Sequence, residues 1–384
     1  MTKRFFSDQI LLAVTVALVF LGLLMVYSSS AALAEERYGN SAALFWRQLA
    51  GAVLGFSAML LLMRVDYHRW RHPAVVFLGI FLAVALLVVA LLAAPHQQTH
   101  RWLRWGPLSF QPSEFAKLML MIFLAYWLEK RGQEVNALVR TLLPALVLVG
   151  VVLGLILKEP DLGTPVTIAL VSAAVFYLAG LRLRYFAYLF LGSLPALYLL
   201  ILRVPYRRNR VLAFLDPYAD PQGTGFQIIQ SMIAVGTGGV TGLGLMNGKQ
   251  KLFFLPAPYT DFIFAVTAEE LGLWGACLVL VLFGIYFWRG WRASLHAPDE
   301  FGRYLAAGLT LMIACQALIN LSVVLGLVPP KGIPLPFLSY GGSSLVFSLA
   351  ATGILLNISR HAAWGRKIQS LEMQEAGVRR QESE

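Results

Sequence analysis

Between Gln9 and Ile358 the chain is a succession of mainly apolar runs parted by short polar connections. An uninterrupted apolar run of about 20 residues is long enough to cross the hydrocarbon of a bilayer as a helix. Such runs occupy 9–29, 47–63, 73–94, 112–128, 141–157, 164–181, 184–203, 262–288, 303–328 and 336–358. The pattern predicts an all-α polytopic membrane protein with about ten transmembrane helices. One long connection, 204–260, separates the seventh and eighth spans and is expected to lie outside the cytoplasm. Charged residues make up 13% of the chain, about half the share found in soluble domains. Ala32-Leu33-Ala34 is similar to a signal-peptidase site, but the run before it is longer than a cleaved signal needs, so it is read as a retained helix.

Residues 1–360 form a single transmembrane domain in this reading, and 361–384 are a short, polar, solvated tail in the cytoplasm. Lys and Arg are in excess on the side that places both termini in the cytoplasm. The net charge of +11 is spread over many short connections, which argues against nucleic acid and for membrane lipids or a phosphorylated lipid. Cys277 and Cys315 lie in apolar runs, and the six histidines show no zinc-type spacing. "GTGGVTGLGLMNGKQ" fails both nucleotide-loop patterns and reads as a tight turn. The pairs Gly51/Gly55 and Gly150/Gly154 read as close helix packing.

The informative residues are the charges that interrupt or border the apolar runs. In "RWLRWGPLSFQPSEFAK", Pro112 and Ser113 suit a helix start, and Glu114 and Lys117 share one helix face. These two are either a local ion pair or part of a site, while Arg101 and Trp102 put a cation beside an aromatic ring. "KEPDLGT" places Lys158, Glu159 and Asp161 together at a turn. Arg207, Arg208 and Arg210 open the long connection, and its amphipathic "FQIIQSMIAV" predicts an ordered cap with a helix lying on the membrane. "PPKGIPLPFLSYGGSSL" is a shaped hairpin that offers Lys331, Ser339 and Ser343 by association.

Asp261 is either the cap of the following helix or a functional carboxylate. Along one straight helix Glu269 lies about 12 Å deeper than Asp261. Glu269 and Glu270 are therefore expected inside the bundle, satisfying buried partners or a polar cavity. Carboxylates at membrane depth are costly and default to function.

Five of these stretches, in order, resemble the hallmark sequences of the SEDS family (shape, elongation, division, sporulation): "FQPSEFAK", "EPDLGT", "FLDPYADPQGTGFQIIQS", "TDFIFAVTAEELG" and "LPFLSYGGSSL". The resemblance covers about residues 10–360. "KLFFLPAPYTDFIFAV" and "PPKGIPLPFLSYGGSS" are more similar to its cell-division branch than to its elongation branch. The resemblance implies a ten-helix glycosyltransferase of the bacterial cytoplasmic membrane. Its substrates would be lipid II and the growing glycan chain, with a class B penicillin-binding protein and other division proteins as partners. It carries the family's essential aspartate onto Asp261, its Arg-Trp stretch onto Arg101 and Trp102, and its Glu/Lys pair onto Glu114 and Lys117. Tyr259 stands where the family commonly has His, which tells against an essential histidine there.

The chemistry suits both readings. A partly buried Asp261 becomes a useful base for a sugar hydroxyl. Arg101, Lys117, Lys158, Arg208, Arg210 and Lys331 are cations available to a lipid diphosphate. A divalent cation such as magnesium, held by Glu114 or Asp161 with the diphosphate, stays open as a cofactor. A lipid II flippase and a scaffold for other wall proteins are the alternatives. A flippase would distribute polar groups through the membrane depth, whereas these candidates gather at one surface.

Overall fold

The computed structural model describes residues 8–93, 101–105, 108–159 and 161–381. A helix occupies each of the expected runs. In chain order they are α1 (Gln9–Tyr38), α2 (Ala43–Arg64), α3 (Pro73–Leu92), α4 (Pro112–Arg131), α5 (Leu143–Lys158), α6 (Gly163–Leu178) and α7 (Leu183–Leu202). The long connection contributes α8 (Pro205–Leu215) and α9 (Phe226–Gly238). The chain then continues through α10 (Ile263–Leu295), α11 (Glu300–Val324) and α12 (Gly342–Gln381). Among the described residues, seven helices are long and apolar enough to cross a membrane, and α6 is a shorter apolar helix. A hairpin of two three-residue strands, β1 (Leu103–Trp105) and β2 (Leu108–Phe110), pairs Leu103 with Phe110 just before α4.

α11 lies at the centre, packed by α4, α6, α10 and α12. Large apolar side chains such as Phe20, Leu78, Phe81, Leu191 and Trp274 face outward. An apolar exterior around a packed interior is the surface a lipid-embedded bundle presents. Gly51 and Gly55 let α12 close on α2: a Cβ on either would lie 3.3 Å from the backbone of Gly342 or Val346. Gly150 and Gly154 meet no described atom within 4 Å, so the packing expected at that pair is not made.

The last run begins later than its hydrophobicity predicts, at Gly342 rather than 336. The intervening Pro334 and Pro336 lack N–H donors, and Ser339 ties its hydroxyl to the N–H of Leu335. At the other end α12 continues as helix to Gln381, through the segment expected as a tail.

Glu269 and Glu270 are buried inside the bundle, as expected, on the first, regular part of α10. α10 is broken at Gly272, whose φ of 65° and ψ of −160° make two helices of it. Glu270 accepts from Ser28 Oγ, from Lys251 Nζ at 2.6 Å and from the N–H of Met246. Glu269 accepts the N–H of Lys249 at 2.8 Å and of Gln250. Ser28 stands 20 residues along α1 from Asp8, which pairs with Arg289 at 2.8 Å. Twenty residues of helix rise about 30 Å, one hydrocarbon thickness. The Glu pair therefore lies about 30 Å along the bundle from Asp8. There it clamps the chain after α9 onto α10, backbone against backbone. Gly242 and Gly272 face each other, and a Cβ on either would collide with the other's main chain.

Gly272→Ala is expected to cost about 2–4 kcal/mol, from the left-handed backbone and the collision together. Unfolding in detergent will show a lowered midpoint, whereas Gly150→Ala, placed in open space, will show none.

Candidate active site

Asp261 precedes α10, yet its side chain does not cap that helix: the capping position is Phe262 and no side chain bonds there. The aspartate is held by its main chain instead. Asn320 of α11 donates from Nδ2 to the carbonyls of Asp261 and Ile333, both at 2.7 Å. Ser339 Oγ donates to the Thr260 carbonyl, and the Tyr340 N–H donates to the Tyr259 carbonyl at 2.9 Å. The segment before α10 and the hairpin before α12 are thus laced side by side. Gly332 lies so close that a Cβ there would be 3.1 Å from Asp261 Oδ2. A bare backbone at 332 leaves room beside the carboxylate, which is half-buried.

Around this carboxylate the fold gathers Arg101, Arg210, Asp161, Lys331 and Glu159. Arg101 Nε donates to the Glu159 carbonyl at 2.9 Å, and Arg210 Nη1 donates to the Pro330 carbonyl at 3.1 Å. Loss of water pushes the Asp261 carboxyl up to about 6, against the pull of Arg101 and Arg210 and with the help of Asp161. Burial likewise holds Lys331 below the usual amine range, with Asp161 opposing. Glu159, 0% exposed, is pushed up to about 8, first by burial and then by Asp161, with Arg101 opposing. Both its carboxyl oxygens lack a hydrogen-bond partner among the described residues. Glu159 stands out only in the fold, since in sequence it is one charge of three at a turn.

The remaining candidates take other places. Asp161 accepts the N–H of Gly163 and Thr164 on Oδ1 and the Thr164 hydroxyl on Oδ2, which secures the start of α6. Glu114 and Lys117 are a buried ion pair at 2.9 Å, and Lys117 also donates to Gln316 Oε1 at 2.7 Å. Gln316 Nε2 passes the connection on to the Pro334 carbonyl at 2.9 Å. The Glu/Lys face thereby supports the same hairpin that Asn320 holds one turn further along α11. Ser343 Oγ donates to the Ser109 carbonyl and accepts from the Gln111 N–H, joining the β-hairpin to α12. Trp102 is half-buried beside Arg101, while Lys158 and Arg208 are exposed. Magnesium fits poorly at Asp161 or Glu114, because N–H groups and a hydroxyl engage the first and Lys117 neutralises the second.

Gln316 and Asn320 were missed as site residues. Their signal was two amides four residues apart in an otherwise apolar helix, where side-chain amides need partners.

These features define a multi-pass membrane protein with a half-buried carboxylate set among cations at one end of its bundle. Residues 8–363 match the family model described as cell cycle protein, FtsW/RodA/SpoVE, and the chain belongs to that family. It is 44% identical over 353 residues to the probable peptidoglycan glycosyltransferase FtsW of Geobacter sulfurreducens, covering 92% of this chain and 95% of that one. Stage V sporulation protein E of Bacillus subtilis is 42% identical over 364 residues, covering 94% of this chain and 100% of the relative. Among solved structures, one described as the structural coordination of polymerization and crosslinking by a peptidoglycan synthase complex contains a similar chain. That likeness has a TM-score of 0.76 at 34% identity, covering 92% of this chain and 98% of the other.

A carboxyl raised from 3.8 to about 6 in the fold contributes stability below pH 3.8 that is lost as pH rises through 6. Asp261→Asn is therefore expected to stabilise the protein at pH 7.5, by about 3 kcal/mol at most. Thermal unfolding at a series of pH values will show the gain shrinking to nothing near pH 4.

Proposed function

We propose that this chain is a peptidoglycan glycosyltransferase that polymerises lipid II during cell division, with Asp261 as the general base. The observation that carries the reading is a half-buried carboxylate, held by its main chain where two non-helical stretches meet, with the charges of Arg101 and Arg210 acting on it. With its pKa near 6, Asp261 is mostly ionised at neutral pH and yet a stronger base than a free aspartate.

The reaction follows from that arrangement. The C4 hydroxyl of a terminal GlcNAc attacks C1 of a MurNAc, and its proton passes to Asp261. The bond from C1 to the lipid diphosphate breaks, and the diphosphate leaves with the bonding pair. Arg101, Arg210 and Lys331 stand where they stabilise its charge, and Lys158 and Arg208 extend the positive rim. Trp102 offers a ring face to a sugar. Glu114 and Lys117, through Gln316, and Ser339 and Ser343, through the hairpins, keep the walls of the site in place. Diphosphate is a good leaving group, so one carboxylate with cations suffices, unlike the paired carboxylates of glycosidases.

Ten crossings, cytoplasmic termini and an extracytoplasmic site in the bacterial inner membrane complete the reading. The excess of Lys and Arg in the connections on the terminal side supports it. The similarity to a chain of a peptidoglycan synthase complex supports a class B penicillin-binding protein as partner, among other division proteins.

Wild-type protein with its cognate transpeptidase is expected to build glycan from lipid II, and Asp261→Asn to build none while staying folded. The wild-type rate should fall as pH drops through about 6, where the base is protonated. Arg210→Ala is expected to lower kcat by about 10²–10³. Normal polymer from Asp261→Asn would sink the assignment. Lipid II translocation in vesicles without polymer would favour a flippase.

A further inference from the structure

The connection between α2 and α3 lies far from Asp261. Gln48 of α2 bonds to the Ser339 carbonyl at the site end, and Arg64 closes the helix about 24 Å away. Just beyond it, Asp66, His68 and His361 each bring one ligand atom, all within 4.8 Å of one another. His68 Nδ1 is 2.7 Å from Asp66 Oδ1, and His361 Nε2 is 3.9 Å from the same oxygen.

The far nitrogens of both rings are also engaged. His68 Nε2 is 2.7 Å from Asp299 Oδ2, and His361 Nδ1 is 3.0 Å from the Asn357 carbonyl. An N–H donated to an oxygen on one side of an imidazole turns the lone pair of the other nitrogen toward the cluster. This is the arrangement that orients metal-binding histidines. The two acceptors are themselves fixed. Tyr67 donates its hydroxyl to Asp299, while Asn357 accepts the Tyr67 N–H and donates to the Met63 carbonyl. Nearby, Glu129 holds Arg71 with Oε1 at 3.0 Å, and its Oε2 is buried without a partner among the described residues.

We propose that Asp66, His68 and His361 bind a divalent transition cation of the zinc type, with Asp299 and the Asn357 carbonyl orienting the two imidazoles. Two nitrogens and one carboxylate suit zinc-like ions, whereas calcium and magnesium prefer oxygen throughout. Metal–ligand bonds of about 2.0–2.1 Å around a tetrahedral ion set its donors about 3.3 Å apart, so the Asp66–His68 pair must open slightly and His361 must close in. Side chains 31–50% exposed have the room, and the same exposure leaves a position for water. The simpler account is a charged His68 bridging Asp66 and Asp299. It explains His68, but not why His361 aims Nε2 at Asp66 with its other nitrogen tied back. A bound cation would pin the α2–α3 connection to α12 and to the start of α11.

The test uses full-length protein in detergent, purified without a polyhistidine tag, stripped with chelator and titrated with Co²⁺ as the probe. Wild type is expected to take one equivalent with visible d–d absorption, displaced by Zn²⁺. His68→Gln and His361→Gln should each abolish the band while keeping the metal-free unfolding midpoint of wild type. Asp299→Asn, which still caps α11, should weaken uptake about 10- to 100-fold. Wild type binding no more Co²⁺ than the double histidine variant would overturn the proposal and leave an ion bridge. Full binding by His361→Gln would overturn it too.

Discussion

Two stretches of chain outside the helices, 256–262 and 329–341, meet at the end of a bundle built to exclude water. Backbone groups there need partners as much as those inside a helix do, because each buried unpaired group costs about 1–3 kcal/mol. Asn320 supplies the answer with one amide group that serves the carbonyls of Asp261 and Ile333 together. Gln316, Ser339 and Gln48 extend the same solution along the hairpin. The position of Asp261 is thus set by donors on helices, while its own carboxylate stays clear of hydrogen bonds among the described residues.

That separation between what holds Asp261 and what surrounds it accounts for its chemistry. Burial disfavours the charged carboxylate, and Arg101 and Arg210 only partly restore it. The result is a group that destabilises the fold at neutral pH and is the better base for it. Glu159 carries the same conflict further, buried and unpartnered beside Asp161 and Arg101. The Glu270 cluster shows the opposite economy. Its carboxylate is met by Ser28, Lys251 and a backbone N–H, and its role is to hold the long connection against α10.

Charges bordering membrane-length apolar runs have few bland explanations, which is why Asp261, Arg101, Arg210 and Lys331 are candidates from sequence. Sequence could not rank them. Lys158 and Arg208 look the same in sequence as Arg210 but end exposed, and Asp161 turns its carboxylate to the start of α6. Asn320 and Gln316 carry no charge, so they were overlooked although they position the site. Glu269 and Glu270 are buried with partners, as their place in an apolar run predicts, but that those partners come from α1 and the long connection is decided by the fold.

Hydrophobic run length by itself determined the helical, membrane-embedded class, since hydrocarbon thickness dictates how long an apolar helix must be. Sequence also placed most breaks between helices to within a few residues, through proline, glycine and charge, although α1 and α10 run nine and seven residues past their predicted ends. Only the tertiary structure decided which charges converge, which become neutralised, and which remain desolvated. Those outcomes depend on distances between residues such as Asp261 and Asn320, 59 positions apart, and on water removed by packing that no local pattern encodes.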